Sequence, residues 1–461
     1  MADDPVLIAG AGASGLGAAL GLSRRGVRSR VVDVRPVPGG MAAGWTRDGL
    51  PLRPGIHLLH ASQDDLRPLV EDLVSVMGPQ VIRVRPVSQV HFLDRFLDYP
   101  LRKMQAIAAM GPVRSARVFL SAAWWRTRAQ VRIALGRPAP DSFETVIREA
   151  VGDVLYRLFF KDYTAKVIGI DTAHLAGEWA RRRVPLPQGR HLLRNLMPWY
   201  RPDTIDHAHS PFHRLQVTGP DGIDLLFDSM LRATDGHAVF EGGTALHRLD
   251  IHGGRVRSAV LRRTDGTEVP VDAPRVVSTM PLTELLARLD PHPPSDIIAL
   301  GRRLRYRGLV FVHLVLRRPP LLPTHWTYFQ DGGLPFNRVS EYGAILPGLY
   351  GRDRTVVCCE LAGDPGDALW ESDLPTLTRQ CINGLQRVTG LPVGDVLEAS
   401  HVHRERHAYP AWHLGYQDDL ARLLAWVDGI EGLVTTGRQG RFDYLNLDQS
   451  IAKGMAAAAR I

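Results

Sequence analysis

The sequence predicts an α/β protein: a Rossmann-like parallel-sheet fold of the glutathione-reductase type, interrupted by an inserted mixed α+β domain. Three observations carry this. A short apolar run at the N-terminus leads straight into a glycine-rich turn. A second apolar run ends on an acid about 20 residues beyond those glycines, the spacing of a strand–turn–helix–strand unit that holds a dinucleotide. The last 30 or so residues repeat the opening order of strand, glycine turn and helix, and a chain of 461 residues is too long for one hydrophobic core.

The first strand is Val6-Leu7-Ile8-Ala9, continuous and apolar as a buried parallel strand must be. Gly10-Ala11-Gly12-Ala13-Ser14-Gly15 follows. Gly10 permits the tight turn, Gly12 lets backbone approach a pyrophosphate, and Gly15 lets the next helix pack on the strand. That helix runs through Ala18, Ala19 and Leu22 and is punctuated by Gly26. Its N-terminal amides, those at Ser14 and Gly15 among them, supply donors and positive potential for phosphate. The second strand, Arg30 to Val34, carries Asp33, the expected acceptor for the ribose hydroxyls. Arg35-Pro36-Val37-Pro38-Gly39-Gly40-Met41 then places a glycine pair just past the ribose acid, which favours FAD over NAD as the dinucleotide.

Residues 64 to 110 mix helix and strand pieces, with a strand at Gln80 to Val84. Phe119 to Trp125 is greasy but short and flanked by Arg, so it reads as a core or membrane-grazing helix. Phe143 to Ala180 shows apolar residues at three- and four-residue spacing and is helical, whereas Arg181 to His213, rich in Pro and His, is irregular. Strands return at 238–240, 246–251, 256–262 and 275–278, with Gly253-Gly254 and Asp265-Gly266 as hairpin turns. Leu309 to Leu316 reads as a buried strand of a second sheet. Leu433 to Thr436, Gly437 and a helix from about Asp448 close the chain. The cofactor domain is therefore expected from 1–60, 215–285 and 425–461, with Leu246 assigned to its cofactor wall. Residues 61–214 and 286–424 form the substrate or cap domain.

Composition narrows the function. With 45% hydrophobic and 23% charged residues the chain is an ordinary globular protein. Its formal net charge is +8, but the arginines are scattered rather than gathered with aromatics, which argues against nucleic acid and leaves two readings open: a high-GC genome that favours Arg codons, or a site for an anionic ligand held by guanidinium groups. Three cysteines, two of them adjacent, give neither a disulfide framework nor a metal spacing, which suggests a reducing cytoplasm. The start has no signal-peptide pattern, and no apolar run approaches the roughly 20 residues of a membrane span. His401, His403 and His407, like His207, His209 and His213, lack a carboxylate pattern that would make them metal ligands.

Several stretches resemble the flavoprotein superfamily that includes amine oxidases, protoporphyrinogen oxidase and, closest in detail, UDP-galactopyranose mutase. Arg53-Pro54-Gly55-Ile56-His57-Leu58-Leu59-His60 is similar to the mutase GxHxxH segment beside the flavin. Leu155 to Lys166 resembles its LYxxFxxxYTxK helix, and Pro335 to Glu341 its aromatic–x–Arg–hydrophobic–x–Glu segment. Gly437-Arg438-Gln439-Gly440-Arg441-Phe442-Asp443-Tyr444-Leu445-Asn446-Leu447-Asp448 is close to the GRxGxYxYxxMD signature. Two positions depart from the pattern. Val167-Ile168-Gly169 stands where mutases carry a uracil-stacking aromatic, and Phe442 replaces the first tyrosine of the last signature.

The resemblance implies FAD and a set of site residues. Gly437, Arg438 and Asp448 join Gly10, Gly12, Ser14, Gly15, Asp33, Gly39 and Gly40 at the cofactor. Asp448 is expected to open the last helix, whose amide end faces the flavin, or to serve as a plain helix cap. His57, Arg338 and Tyr444 are the candidate catalytic residues, His57 by acid–base chemistry and Arg338 as an anion contact. Tyr156, Tyr163, Lys166 and Arg441 are candidate substrate contacts. Two chemistries are open: hydride transfer from an anionic or polyhydroxylated molecule, such as a nucleotide sugar, to flavin N5, or a mutase-like isomerisation on reduced FAD with no net redox change.

Overall fold

The computed structural model describes residues 4–184 and 216–461. Its first sheet is wholly parallel, in the order Leu433–Thr435, Val276–Ser278, Val6–Ala9, Ser29–Asp33, Ala238–Gly242. The central strand Val6–Ala9 is buried throughout, which is why its sequence shows no polar alternation. Strands distant in the chain meet here because the rest of the polypeptide leaves and re-enters the sheet.

Helix Ala13–Ser23 lies against helix Leu447–Ala458, and small residues make the contact. A Cβ on Gly17 would stand 2.4 Å from the Ile451 carbonyl oxygen, and one on Gly454 would stand 1.9 Å from that of Ser14. The first and last helices of the fold thus pack backbone to backbone.

A four-stranded sheet holds the two predicted hairpins: Glu268–Asp272, Arg255–Arg263 and Thr244–His252, edged by Leu289–Asp290. Leu246, expected on the cofactor wall, packs instead into the core with Ala9 and Val32, and its carbonyl accepts a hydrogen bond from Arg288 Nε at 3.0 Å. The inserted domain is built on a seven-stranded mixed sheet. Its order is Leu397–Ala411, Arg305–Leu316, Thr355–Ala362, Arg338–Glu341, Trp326–Phe329, Ser88–Phe92, Arg95–Tyr99. Strand Arg305–Leu316 is buried over its last ten residues, matching the apolar run at 309–316.

Helix Lys103–Ala134 is far longer than the short helix expected at 119–125. It breaks at Gly111, whose φ is +73°, just before Pro112, and packs on helix Phe143–Leu155. The stretch expected to be irregular, Arg181 to His213, begins instead within a helix, Gly177–Arg183, and lies outside the described residues from 185 onward. His207, His209 and His213 lie outside the described residues. His401, His403 and His407 sit on strand Leu397–Ala411, and among the described residues no cluster of His, Cys, Asp or Glu could hold a metal ion.

Candidate active site

The glycine turn has the shape of a phosphate cradle. Gly10 takes φ +110°, and its amide donates to the Val32 carbonyl at 2.8 Å. A Cβ on Gly15 would lie 1.8 Å from the Gly10 carbonyl oxygen, so only glycine lets the turn close onto the helix. Gly12 begins helix Ala13–Ser23 with no side-chain cap and no acid in the first turn, which leaves the first-turn amides to a ligand. Gly39 (φ +112°) and Gly40 (φ +55°) run alongside, and a Cβ on Gly40 would touch the Gly12 Cα at 2.9 Å. Asp33 accepts from the Ala11 amide at 2.7 Å and the Arg35 amide at 2.9 Å, which holds its carboxylate beside the turn.

The C-terminal turn closes the cradle from the other side. Gly437 takes φ +84°, and a Cβ there would come within 2.5 Å of Ser14 Oγ. Asn446, not Asp448, caps the last helix, paired reciprocally with Gln449 in a capping box. Asp448 is wholly buried in the first turn. One carboxylate oxygen accepts from the Ser62 amide at 2.6 Å, and the other has no partner among the described residues. An orphaned acceptor at a helix N-terminus, beside a turn no side chain can enter, fits a polar cofactor bearing both hydroxyl and phosphate groups.

Next to this cradle the segment Arg53 to His60 is fixed by its ends. Arg53 pairs with Asp224 at 2.9 Å, and its carbonyl lies 2.7 Å from His313 Nε2. Leu59 and Val217 exchange backbone hydrogen bonds of 2.9 Å. Gly55, at φ +74°, passes so close that a Cβ would meet a Glu360 carboxylate oxygen at 2.6 Å. His57 follows, with its amide donating to the Tyr342 hydroxyl at 3.2 Å and its Nδ1 without a partner among the described residues. Desolvation first, then the charges of Arg338 and Arg438, lower its pKa to about 3. His57 is therefore neutral at physiological pH and a poor base, although sequence alone suggested acid–base work.

Arg338 and Glu360 are cross-strand partners, joined by a 2.5 Å bond from Nε to a carboxylate with no solvent exposure. Nearby, the Tyr444 ring is held between two guanidiniums: Arg438 stands 4.3 Å and Arg183 4.5 Å from its centroid. Tyr409 stacks on Tyr444 at 5.7 Å, and Trp179 meets it edge-on at 5.0 Å. Burial raises the Tyr444 pKa, but Arg183, Arg438 and Arg338 outweigh it and leave the phenol below its ordinary value. Tyr99 goes the other way, to about 12, through desolvation, and Tyr163 and Tyr409 are also pushed up. Arg338, Tyr163, Tyr409 and Tyr444 lie close enough to feel one another's charge, and each is only half-buried, so together they border a partly open hollow.

Other expected contacts are engaged elsewhere. Tyr156 is wholly buried, its hydroxyl taken by Thr172 at 2.6 Å and Glu144 at 3.0 Å, which removes it from the hollow. Lys166 donates to the carbonyls of Asp331 (3.0 Å), Phe336 (3.1 Å) and Leu334 (3.4 Å) and so fastens the loop leading to Arg338. Desolvation lowers its pKa to about 8. Arg441 pairs with Asp428 at 2.7 Å and reaches Thr435 Oγ1 at 3.0 Å, anchoring the turn that presents Tyr444. Arg183, Tyr409, Tyr99, Tyr328 and Glu360 were not anticipated. Only Glu360 left a signal, a lone charge inside the apolar run Thr355–Ala362, which requires a buried partner.

A parallel-sheet cradle for a dinucleotide beside an arginine-rich hollow defines the class of flavin-dependent enzymes. The chain belongs to the flavin containing amine oxidoreductase family, whose sequence profile matches residues 13–461, and FAD is its cofactor. It is 27% identical over 320 residues to a phytoene dehydrogenase of Streptomyces griseus, covering 64% of this chain and 58% of that protein. It is 24% identical over 385 residues to a hydroxyneurosporene desaturase of Cereibacter sphaeroides, covering 77% and 71%. The fold is that of a reduced UDP-galactopyranose mutase (TM-score 0.78, 18% identity, 99% of this chain and 95% of that one). It is also shared by a protoporphyrinogen oxidase of Exiguobacterium sp. 255-15 (TM-score 0.70, 15% identity, 100% and 99%).

Proposed function

We propose that this chain is an FAD-dependent oxidoreductase that takes hydride from an anionic, polyhydroxylated small molecule such as a nucleotide sugar. The observation that carries the substrate class is the set of three guanidiniums around Tyr444. Among the described residues only Arg338 has a carboxylate partner, and Arg183 and Arg438 have none. Arg183 is exposed and Arg438 half-buried, and a partly open hollow bordered by guanidiniums that have no carboxylate partner among the described residues favours an anion, guanidinium being suited to phosphate or carboxylate. The relatives named dehydrogenase and desaturase support the reaction class.

Bound FAD supplies hydride acceptance at N5. The residues of the chain bind, orient and move the proton. Arg183 and Arg438 hold the anionic group, and Arg338, kept rigid by Glu360, fixes its position. The Tyr444 oxygen, with its lowered pKa, accepts the substrate hydroxyl proton as the C–H hydride leaves. Neutral His57 keeps an unpartnered Nδ1 beside Arg338, a donor or an acceptor according to its tautomer. Gly10, Gly12, Ser14, Gly15, Asp33, Gly39, Gly40, Gly437 and Asp448 hold the cofactor.

Two other readings use the same fold. Desaturation of an apolar chain is suggested by the names of the two sequence relatives, but a hollow walled by arginines and tyrosine hydroxyls disfavours it. Isomerisation with no net redox change is suggested by the mutase-like segment at 437–448. An anaerobic absorbance titration of the purified flavoprotein separates all three. Bleaching of the oxidised flavin band by a nucleotide sugar is the expected result, and bleaching only by an apolar polyene overturns the substrate class. If nothing bleaches, and chemically reduced protein interconverts nucleotide sugars while staying reduced, the isomerase reading replaces it.

A further inference from the structure

Helix Lys103–Ala134 has two apolar faces, and the fold uses only one. Ser115, Val118 and Ala129 are buried on the side that meets helix Phe143–Leu155. That side is fixed closely: Ser121 Oγ accepts from the Val154 amide at 3.2 Å, and a Cβ on Gly152 would lie 2.5 Å from the Ala122 nitrogen. The opposite side carries Val113, Leu120, Trp124 and Val131, exposed by 72%, 72%, 65% and 52%. Their spacing of seven, four and seven residues, at about 100° per residue, sets all four within about 40° of one line. This is a continuous stripe, not scattered surface hydrophobics.

Charge singles out the same segment. Residues 101–140 contain eight basic residues (Arg102, Lys103, Arg114, Arg117, Arg126, Arg128, Arg132, Arg137) and no Asp or Glu. The whole chain has 56 basic and 48 acidic residues, so the remainder is balanced at 48 of each and this segment carries the entire net charge of +8. Arg132 is committed to Glu149 and Arg126 to the Ala150 carbonyl, on the packed side. Arg114, Arg117 and Arg128 flank the stripe, and none of them has a carboxylate partner among the described residues. No described helix is long and apolar enough to cross a membrane.

We propose that this helix lies in the interface of an anionic lipid bilayer. The stripe Val113–Leu120–Trp124–Val131 enters the acyl boundary, and Arg114, Arg117 and Arg128 meet lipid phosphates. An exposed apolar line with a tryptophan, bordered by arginine, is the composition of an in-plane amphipathic helix. A second copy of the chain is the poorer occupant, because pairing two such faces brings together two acid-free segments of eight positive charges each. The inference is independent of the substrate reading.

The test is vesicle co-sedimentation of the full flavin-loaded chain. Vesicles of phosphatidylglycerol mixed with phosphatidylcholine are compared with phosphatidylcholine alone. Binding is expected on the anionic vesicles and is released by high salt. The triple variant R114Q/R117Q/R128Q should weaken it by about fivefold for each arginine neutralised. The variant L120Q/W124Q should abolish it. Both variants change exposed side chains, so flavin absorbance and the thermal unfolding midpoint should stay those of the parent, a control that separates lost docking from lost folding. No binding to anionic vesicles, or equal binding by parent and both variants, overturns the proposal. If the parent is a dimer by light scattering and L120Q/W124Q only converts it to monomer, the stripe belongs to a second copy instead.

Discussion

At the scale of single residues, the site turns on whether a charge has a partner. Arg338 balances buried Glu360, so Arg338→Met would strand a carboxylate with no solvent exposure and should cost about 3–5 kcal/mol of unfolding free energy, read by chemical denaturation. Arg183 has no carboxylate partner among the described residues. Arg183→Gln should leave stability nearly unchanged and instead raise KM about tenfold to a hundredfold, the worth of one charged hydrogen bond. Tyr444 has the opposite pKa trend from Tyr99, Tyr163 and Tyr409 because three arginines face it. A rise in rate with pH should therefore appear below the ordinary phenol value of about 10, and that limb should be missing from the pH profile of Tyr444→Phe.

At the scale of elements, the cofactor cradle depends on helices brought into backbone contact by glycine. Gly454 lies on the last helix, far from the phosphate turn in sequence, yet a Cβ there would press on the Ser14 carbonyl at 1.9 Å. Gly454→Ala should therefore push helix Ala13–Ser23 off its seat and reduce bound FAD, measured as flavin absorbance per protein. An FAD content equal to the parent would show that the interface yields without disturbing the cradle. The turn at 437–444 is set from outside as well. Tyr306 donates to the Gln439 carbonyl at 2.6 Å and Trp412 Nε1 to that of Phe442 at 3.1 Å, so strands of the inserted domain decide where Tyr444 points.

At the scale of the whole molecule, three histidines are buried or enclosed where cofactor and inserted domains meet. His57 is lowered to about 3, His313 to about 4 and His403 to about 4, desolvation being the main cause in each. Unfolded, each titrates near 6.5, so the unfolded chain binds more protons between about pH 4 and 6.5. Stability is thus full above 6.5 and falls as pH drops toward 4, by about 3 kcal/mol for the fully buried His313 alone. Denaturation midpoints measured from pH 7.5 down to 4.5 should decline. His313→Asn should flatten the decline, and a midpoint independent of pH over that range would contradict the burial of these imidazoles.

The glycine turn, the ribose acid and the paired hairpins were legible in the sequence because each is a local demand. A turn of positive φ needs glycine, a buried parallel strand needs continuous apolar residues, and a hairpin needs a two-residue turn. Residues within one short motif, such as Gly437 to Asp448, also keep their mutual placement wherever the chain carries them. The walls of the hollow were decided by the tertiary structure. Arg183, Tyr99, Tyr328 and Tyr409, with the buried Glu360 that holds Arg338, come from five separate elements, and no spacing along the chain records that they meet. Tyr156 and Arg441 matched a motif yet turned to Glu144, Thr172 and Asp428, because a buried polar group takes the nearest partner the packing offers. Likewise, the apolar and basic content of residues 101–140 was plain in the sequence. Which of its faces remained uncovered was settled only when helix Phe143–Leu155 packed against the other side.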